Sequence, residues 1–181
     1  MENLLDKLHL DHVNFIKLLT FIECQLDHIQ NCEIVDFETI LFSMKYMKDY
    51  PDAIHHPLEN IVFNYFLNQY DQLRDEIAEL LHEHENMPLL TDKVVDMLQC
   101  VITEEPISRH LLCENLARYL DVQKAHMNRE ECEIYPVIYK IMKDSDWKAL
   151  DETLTVSNDP LFDVPRNESY QLLFKTITSS M

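Results

Sequence analysis

Apolar side chains recur along this chain at steps of three and four. Leu4, Leu5, Leu8, His12, Phe15, Ile16, Leu19, Ile22 and Leu26 predict one long amphipathic helix over about 3–29. Asn31 to Glu33 read as a turn, and Asp36 is placed to cap the next helix, with Thr39 three residues on. Phe37, Ile40, Leu41, Met44 and Met47 carry the period forward. After Pro51 and Pro57 it resumes through Leu58, Ile61, Val62, Tyr65 and Phe66. A third helix is expected from Gln72 through Ile77, Leu80, Val94 and Leu98 to Ile102. Pro88 should bend or break it, since proline lacks an N–H and crowds the preceding turn. Pro106 suits the first turn of a fourth helix. That helix carries Leu112, Leu116, Tyr119, Leu120, Ile134, Ile138 and Ile141, with a kink at Pro136. Shorter helices are expected near Ser145–Leu154 and Ser169–Ile177, separated by a proline-marked stretch from Asn158 to Asn167. The pattern predicts an all-α protein. Its form is an antiparallel up-down four-helix bundle over about 3–143, then an extension over about 144–181 with one or two short C-terminal helices. No composition shift divides the chain, so 1–181 reads as a single domain.

Composition narrows the function. The 181 residues include no glycine, where about a dozen are usual. Glycine-rich phosphate loops and dinucleotide fingerprints are therefore excluded, as are Asn-Gly and Asp-Gly hairpins. The formal charge is −18, from 15 basic and 33 acidic residues. Such a field repels nucleic acid and anionic membranes and suits cations or a basic partner. The five cysteines are odd in number and form no CxxC. That argues against a disulfide framework or a cysteine zinc site, and for a reducing compartment. The start, MENLLDKLHLDH, is acidic where a signal peptide is basic. No apolar run approaches the ~18 residues of a membrane span. A cytoplasmic protein is expected.

The candidate chemistry lies in the nine histidines. His55 and Glu59 are i, i+4, and so are His126 and Glu130, a spacing that puts both side chains on one helix face. A third pair, His110 and Glu114, lies about 160° around the helix from His126 and reads as a surface pair. Chance alone supplies about one such pair at this composition, so spacing is weak evidence by itself. Depth is stronger. With turns near residues 32, 70 and 105, His12, His55, Glu59, His84, His126 and Glu130 fall at nearly one level, within about two helical turns. Four histidines and two carboxylates converging in a core need compensating charge, which metal ions supply. Iron and manganese both suit these donors. His55 and Glu59 share a face only where the helix continues through Pro57. Of the remaining candidates, His56 should point about 100° away from His55 and His82 should face away from His84, His9 either supports the site or is a partly exposed polar residue, and His28 suits a helix end. Tyr119 either reaches the site or packs. Glu131 and Glu133 either support the site or are solvated.

These residues resemble those of the hemerythrin-like, or HHE cation-binding, family. The matching stretches are LxxDHxxF at Leu8 to Phe15, YPDAIHHPLENIVF at Tyr50 to Phe63, LLHEHE at Leu80 to Glu85, and HMNREECEIYP at His126 to Pro136. The later segments DSDWKALDETL and DPLF are also similar to the family's C-terminal extension, although Asp163 stands where that extension often has glycine. The resemblance implies a non-haem di-iron centre in an antiparallel four-helix bundle, bridged by carboxylates and an oxo or hydroxo group. It carries the ligand role to His12, His55, Glu59, His84, His126 and Glu130. Manganese or a mixed-metal pair fits the same donors.

The chain departs from the oxygen carriers of that family. Their third helix supplies two histidines at HxxxH, whereas Leu80 and Pro88 flank His84 here. Their fourth helix reads HxxxxD, whereas this one reads HxxxE with Glu131 at the fifth position. A six-ligand set leaves more positions for water, O2, peroxide or NO. The resemblance thus implies a small diatomic or peroxide ligand, in sensing, scavenging or stress response. The alternatives are a di-iron oxidase, peroxidase or iron-centre repair factor, and a metal-free helical interaction protein.

Overall fold

The computed structural model describes residues 4–154, 157–163 and 168–179, and among them every regular element is helical. Helix α1 spans Leu4–Gln30. A second helical run is continuous over 37–69: α2 (Phe37–Met47), a π-helical segment (Lys48–His55) and α3 (His56–Gln69). The third run is α4 (Arg74–Ile102). The fourth is continuous over 109–141: α5 (Arg109–Arg129), a second π-helical segment (Glu130–Ile134) and α6 (Tyr135–Ile141). Two shorter helices follow, α7 (Asp144–Thr153) and α8 (Glu168–Ser179). The expected turns near 32, 70 and 105 fall in the three breaks between long runs. Residues 164–167 of the proline-marked stretch lie outside the described residues.

Local chemistry sets the boundaries. Asp36 caps α2 by accepting the N–H groups of Glu38 and Thr39. Ser108 caps α5 through the N–H of Leu111. Pro106 therefore lies ahead of that helix rather than in its first turn. Helix α4 runs unbroken through Pro88. Each break holds one residue in the left-handed region: Cys32 at φ 61°, Leu73 at φ 59° and Glu104 at φ 58°. Glycine would take these places without strain; a side chain there costs about 1–2 kcal/mol.

The π-helical segments resolve the problem of Pro57 and Pro136. A proline in an α-helix deprives the carbonyl four residues earlier of its donor. Here the pattern has already widened: the N–H of His56 bonds Pro51 O, and that of Tyr135 bonds Glu130 O, both five residues back. Pro57 and Pro136 are then each the second residue of a new α-helix, so neither run is interrupted. His55 ends one π segment and Glu130 begins the other. Such insertions often occur at functional sites.

The core divides into two apolar clusters. One contains Phe15, Leu19, Met47, Tyr50, Val94, Leu98, Leu116 and Tyr119. The other contains Leu4, Leu8, Val62, Phe63, Ile77, Leu80, Ile134 and Ile138. Along α1 the chain passes from the second cluster through His12 to the first. The second run reverses this order through His55 and Glu59. Helix α4 reverses it again through His84, and the fourth run once more through His126 and Glu130. The six polar residues thus form one layer between the clusters. Ile16 departs from the expected apolar stripe and is exposed.

Residues 157–163 pack against this core. Asp159 accepts the N–H groups of Leu161 and Phe162 on Oδ1 and the Tyr46 hydroxyl on Oδ2. Asp163, whose φ is not positive, accepts the N–H of Asp159. All five cysteines are free. No helix among the described residues is long and apolar enough to cross a membrane.

Candidate metal centre

His12, His55, Glu59, His84, His126 and Glu130 are all buried and come together in the polar layer. The imidazoles meet as two pairs. His12 Nε2 lies 3.0 Å from His55 Nε2, and His84 Nε2 lies 2.9 Å from His126 Nε2. The carboxylates reach both pairs. Glu130 Oε2 is 3.5 Å from His12 Nε2, while its Oε1 is 3.3 Å from His84 Nε2 and 3.0 Å from His126 Nε2. Glu59 Oε2 is 3.4 Å from His84 Nε2 and 3.9 Å from His55 Nε2. The last distance shows that Pro57 leaves His55 and Glu59 on one face.

The outer nitrogen of every ring is held by an oxygen. Nδ1 of His12 meets Glu131 Oε1 at 2.8 Å, and that of His55 meets Asp11 Oδ2 at 3.2 Å. Nδ1 of His84 meets Asn60 Oδ1 at 2.6 Å, and that of His126 meets Glu83 Oε2 at 2.7 Å. These four contacts close a ring around the layer. Asp11 in α1 holds a histidine of the second run, Asn60 there holds one of α4, Glu83 in α4 holds one of the fourth run, and Glu131 returns to α1. Each orienting residue is the sequence neighbour of a candidate ligand. Neighbours on a helix point about 100° apart, so one faces the layer and the other reaches the adjacent helix.

This ring fixes the tautomers. A carboxylate or amide oxygen accepts hydrogen bonds, so each Nδ1 carries the proton and donates it. In a neutral ring the inward Nε2 is then a bare lone pair. At His12 and His55 two such lone pairs face each other at 3.0 Å with no proton between them, and at 2.9 Å the inward nitrogens of His84 and His126 meet beside Glu130. Glu59 Oε2 and both oxygens of Glu130 are also buried with no aligned hydrogen-bond donor. Buried acceptors left in this state are costly. A cation satisfies all of them at once, and imidazole with carboxylate is a donor set for iron, manganese or zinc. The residues fit a metal.

Charge in the metal-free layer is distributed unequally. Burial, followed by the neighbouring Glu130 carboxylate, pushes Glu59 well above the usual carboxylate range. Burial opposes the charge of Glu130 as well, but His126 and His84 outweigh it and hold Glu130 low. Burial depresses His55 and His84, favouring the neutral form that binds metal. His126 behaves oppositely: burial lowers its pKa, but Glu130 and Glu83 prevail and raise it to about 9. Tyr135 completes the layer. Its hydroxyl donates to Glu59 Oε1, and its ring stacks on His12 at 5.6 Å with 3° between the planes.

A family model for the hemerythrin HHE cation-binding domain matches residues 3–138. The chain belongs to this family. No curated protein and no solved structure gave a match to it. The match spans every residue of the polar layer, so the metal-binding character of this hemerythrin domain rests on both membership and clustered His and Glu side chains.

Several sequence expectations change. His56 does not point away from the layer; it is buried and stacks on His84 at 4.5 Å. His110 and Glu114 are exposed, as their angular position implied. Glu131 supports the site, joining His12 to the exposed His9 through Oε1 and Oε2, while Glu133 is exposed. Tyr119 is fully buried in the first apolar cluster. Asp11, Asn60, Glu83 and Tyr135 were not singled out in the sequence. Their signal was adjacency to a candidate ligand for the first three, and for Tyr135 a five-residue step from Glu130 across a π turn.

Proposed function

We propose that this hemerythrin-like domain is a non-haem di-iron protein that binds O2, NO or peroxide in sensing, scavenging or stress response. We further propose that its four long runs form an antiparallel up-down bundle, a reading supported by the alternating order of the two apolar clusters along them. The observation that carries the di-iron reading is the two facing imidazole pairs. Two nitrogens at right angles on one ion, each about 2.1 Å from it, are about 3.0 Å apart. His12 and His55 would hold one ion, and His84 and His126 the other. Glu59 and Glu130, which face both pairs, would bridge them.

Iron held here supplies open coordination positions and electrons for a small ligand. The chain supplies the rest. Asp11, Asn60, Glu83 and Glu131 aim the lone pairs, Tyr135 fixes Glu59, and the two apolar clusters keep bulk water from the layer. The test is the absorption spectrum of iron-loaded protein before and after azide, O2, peroxide and NO. New iron-dependent bands with at least one of these support the reading, and an unchanged spectrum with all four contradicts it. Peroxide turnover lost in Glu130→Ala would make the protein a di-iron enzyme rather than a binding module.

A further inference from the structure

A line of tyrosines leads away from the polar layer on the His55 side. Asp11, which holds Nδ1 of His55, also faces the Tyr50 hydroxyl, at 3.3 Å from Oδ2 and 3.4 Å from Oδ1. The Tyr50 ring stacks on that of Tyr46, with centroids 6.0 Å apart and 23° between the planes. Tyr46 meets Tyr170 edge-on at 6.1 Å. Phe15 lies beside this line, edge-on to His55 at 5.0 Å and to Tyr50 at 6.1 Å. Tyr46 and Tyr50 are buried, and Tyr170, on α8, is half-buried. The line thus runs from a candidate ligand toward solvent, and its outer end lies beyond the matched residues 3–138.

Packing is a poor account of Tyr46. Its hydroxyl donates to Asp159 Oδ2 at 2.8 Å, and both side chains are buried. The Phe15 and Phe162 rings beside it show that a plain phenyl suits this stack. Asp159 Oδ1 caps the N–H groups of Leu161 and Phe162, a task that Asn or Ser performs without burying a charge. What the charge adds is a proton acceptor for the phenol. A phenol that loses an electron becomes a strong acid, so electron and proton leave together where a base stands within hydrogen-bond reach. Here the products are a neutral phenoxyl and a neutral carboxylic acid, so the step removes a buried charge rather than creating one. Burial acts in the same direction. It raises the Asp159 pKa, which favours the protonated acid, and keeps Tyr46 from ionising beforehand.

We propose that Tyr46 is a redox-active tyrosine that carries oxidising equivalents from peroxide at the polar layer outward to Tyr170, with Asp159 as its proton acceptor. The proposal rests on the di-iron reading above for the place where peroxide is reduced. Hydrogen peroxide takes up two electrons and two protons, its O–O bond breaks, and two waters leave. Each electron comes from Tyr46 and passes inward by Tyr50. The O–H bond of Tyr46 breaks as its proton goes to Asp159 Oδ2. Tyr170 then returns an electron to Tyr46, Asp159 returns the proton, and Tyr170 releases its own proton to solvent. A small phenol in solution restores Tyr170 by giving it a hydrogen atom. Two such transfers balance one peroxide, and two phenoxyl radicals of the reductant are the oxidised products.

The test is electron paramagnetic resonance of iron-loaded protein frozen after mixing with hydrogen peroxide. The wild type should give a phenoxyl signal that narrows when the protein is made with ring-deuterated tyrosine. That signal should be lost in Tyr46→Phe and in Asp159→Asn, which keeps the cap but accepts no proton. In Tyr170→Phe it should outlast the wild-type signal, because the outlet is gone. Wild-type protein that holds two irons and gives no phenoxyl signal overturns the proposal and leaves the di-iron reading intact. So does a signal of wild-type shape and yield in Tyr46→Phe, and decay at the wild-type rate in Tyr170→Phe overturns the outward step. Protein that takes up no iron overturns the di-iron reading and the proposal with it. If a variant does not fold, the wild-type signal and its response to ring deuteration still decide.

Discussion

Glu83 holds Nδ1 of His126 at 2.7 Å from the position immediately before His84. One helix thus contributes a candidate ligand and, from the next residue, the group that orients a candidate ligand elsewhere. Orienting partners of metal-bound histidine affect affinity by about 10–100-fold. Glu83→Ala and Glu131→Ala should each weaken metal retention by about that factor without removing a donor from the layer. Competition against a chelator checks this, with Glu133→Ala, at an exposed position, as the unaffected control.

Metal uptake should depend on pH with a definite sign. In the metal-free protein His126 keeps its inner proton up to about pH 9, and a metal must displace that proton. Apparent affinity should rise with pH, about tenfold per unit for this one proton, and flatten above about 9. The stability of the metal-free protein has the opposite sign. The raised pKa adds stability below the ordinary histidine value of about 6.5, and that stability is lost as pH rises toward about 9. Manganese(II) titrations and urea unfolding across this interval read the two trends, and flat profiles would contradict them.

Tyr135→Phe removes the hydroxyl that donates to Glu59 Oε1 and leaves that oxygen buried without a donor. The expected loss is about 1–3 kcal/mol in the stability of the metal-free protein. Urea unfolding measures it, and stability equal to wild type would show that the hydrogen bond contributes nothing.

Much of the fold was legible because helical period and turn position are local properties. Leu4 to Leu26 carried the first helix, and Asp36 capped the second as expected. The convergence of the six candidate His and Glu residues was legible for a related reason: equal distance from a turn gives similar depth when the order along successive helices alternates. The failures also have local causes. Pro51 and Pro57 read as interruptions and Pro136 as a kink, because residue spacing does not reveal a π turn. The same turn hid His56, whose expected direction assumed α-helical steps. Asp11, Asn60 and Glu83 were hidden because their partners lie on other runs, and such pairings belong to packing rather than to pattern.

The absence of glycine leaves a measurable trace. Glu104 adopts φ 58° in an exposed turn, where a side chain is strained and glycine is not. Glu104→Gly should stabilise the protein by up to about 1 kcal/mol after allowing for glycine's freer unfolded chain. Thermal or urea unfolding reads the change, and destabilisation would show that the turn carries no strain.

Facing imidazole pairs and two shared carboxylates are proposed to hold two metal ions. The most direct measurement is the metal content of protein produced with iron and then desalted, beside His55→Ala and His126→Ala. The account predicts about two irons per chain in the wild type and a clear loss in both variants. Well under one iron per chain, or variants that retain the wild-type content, would contradict it.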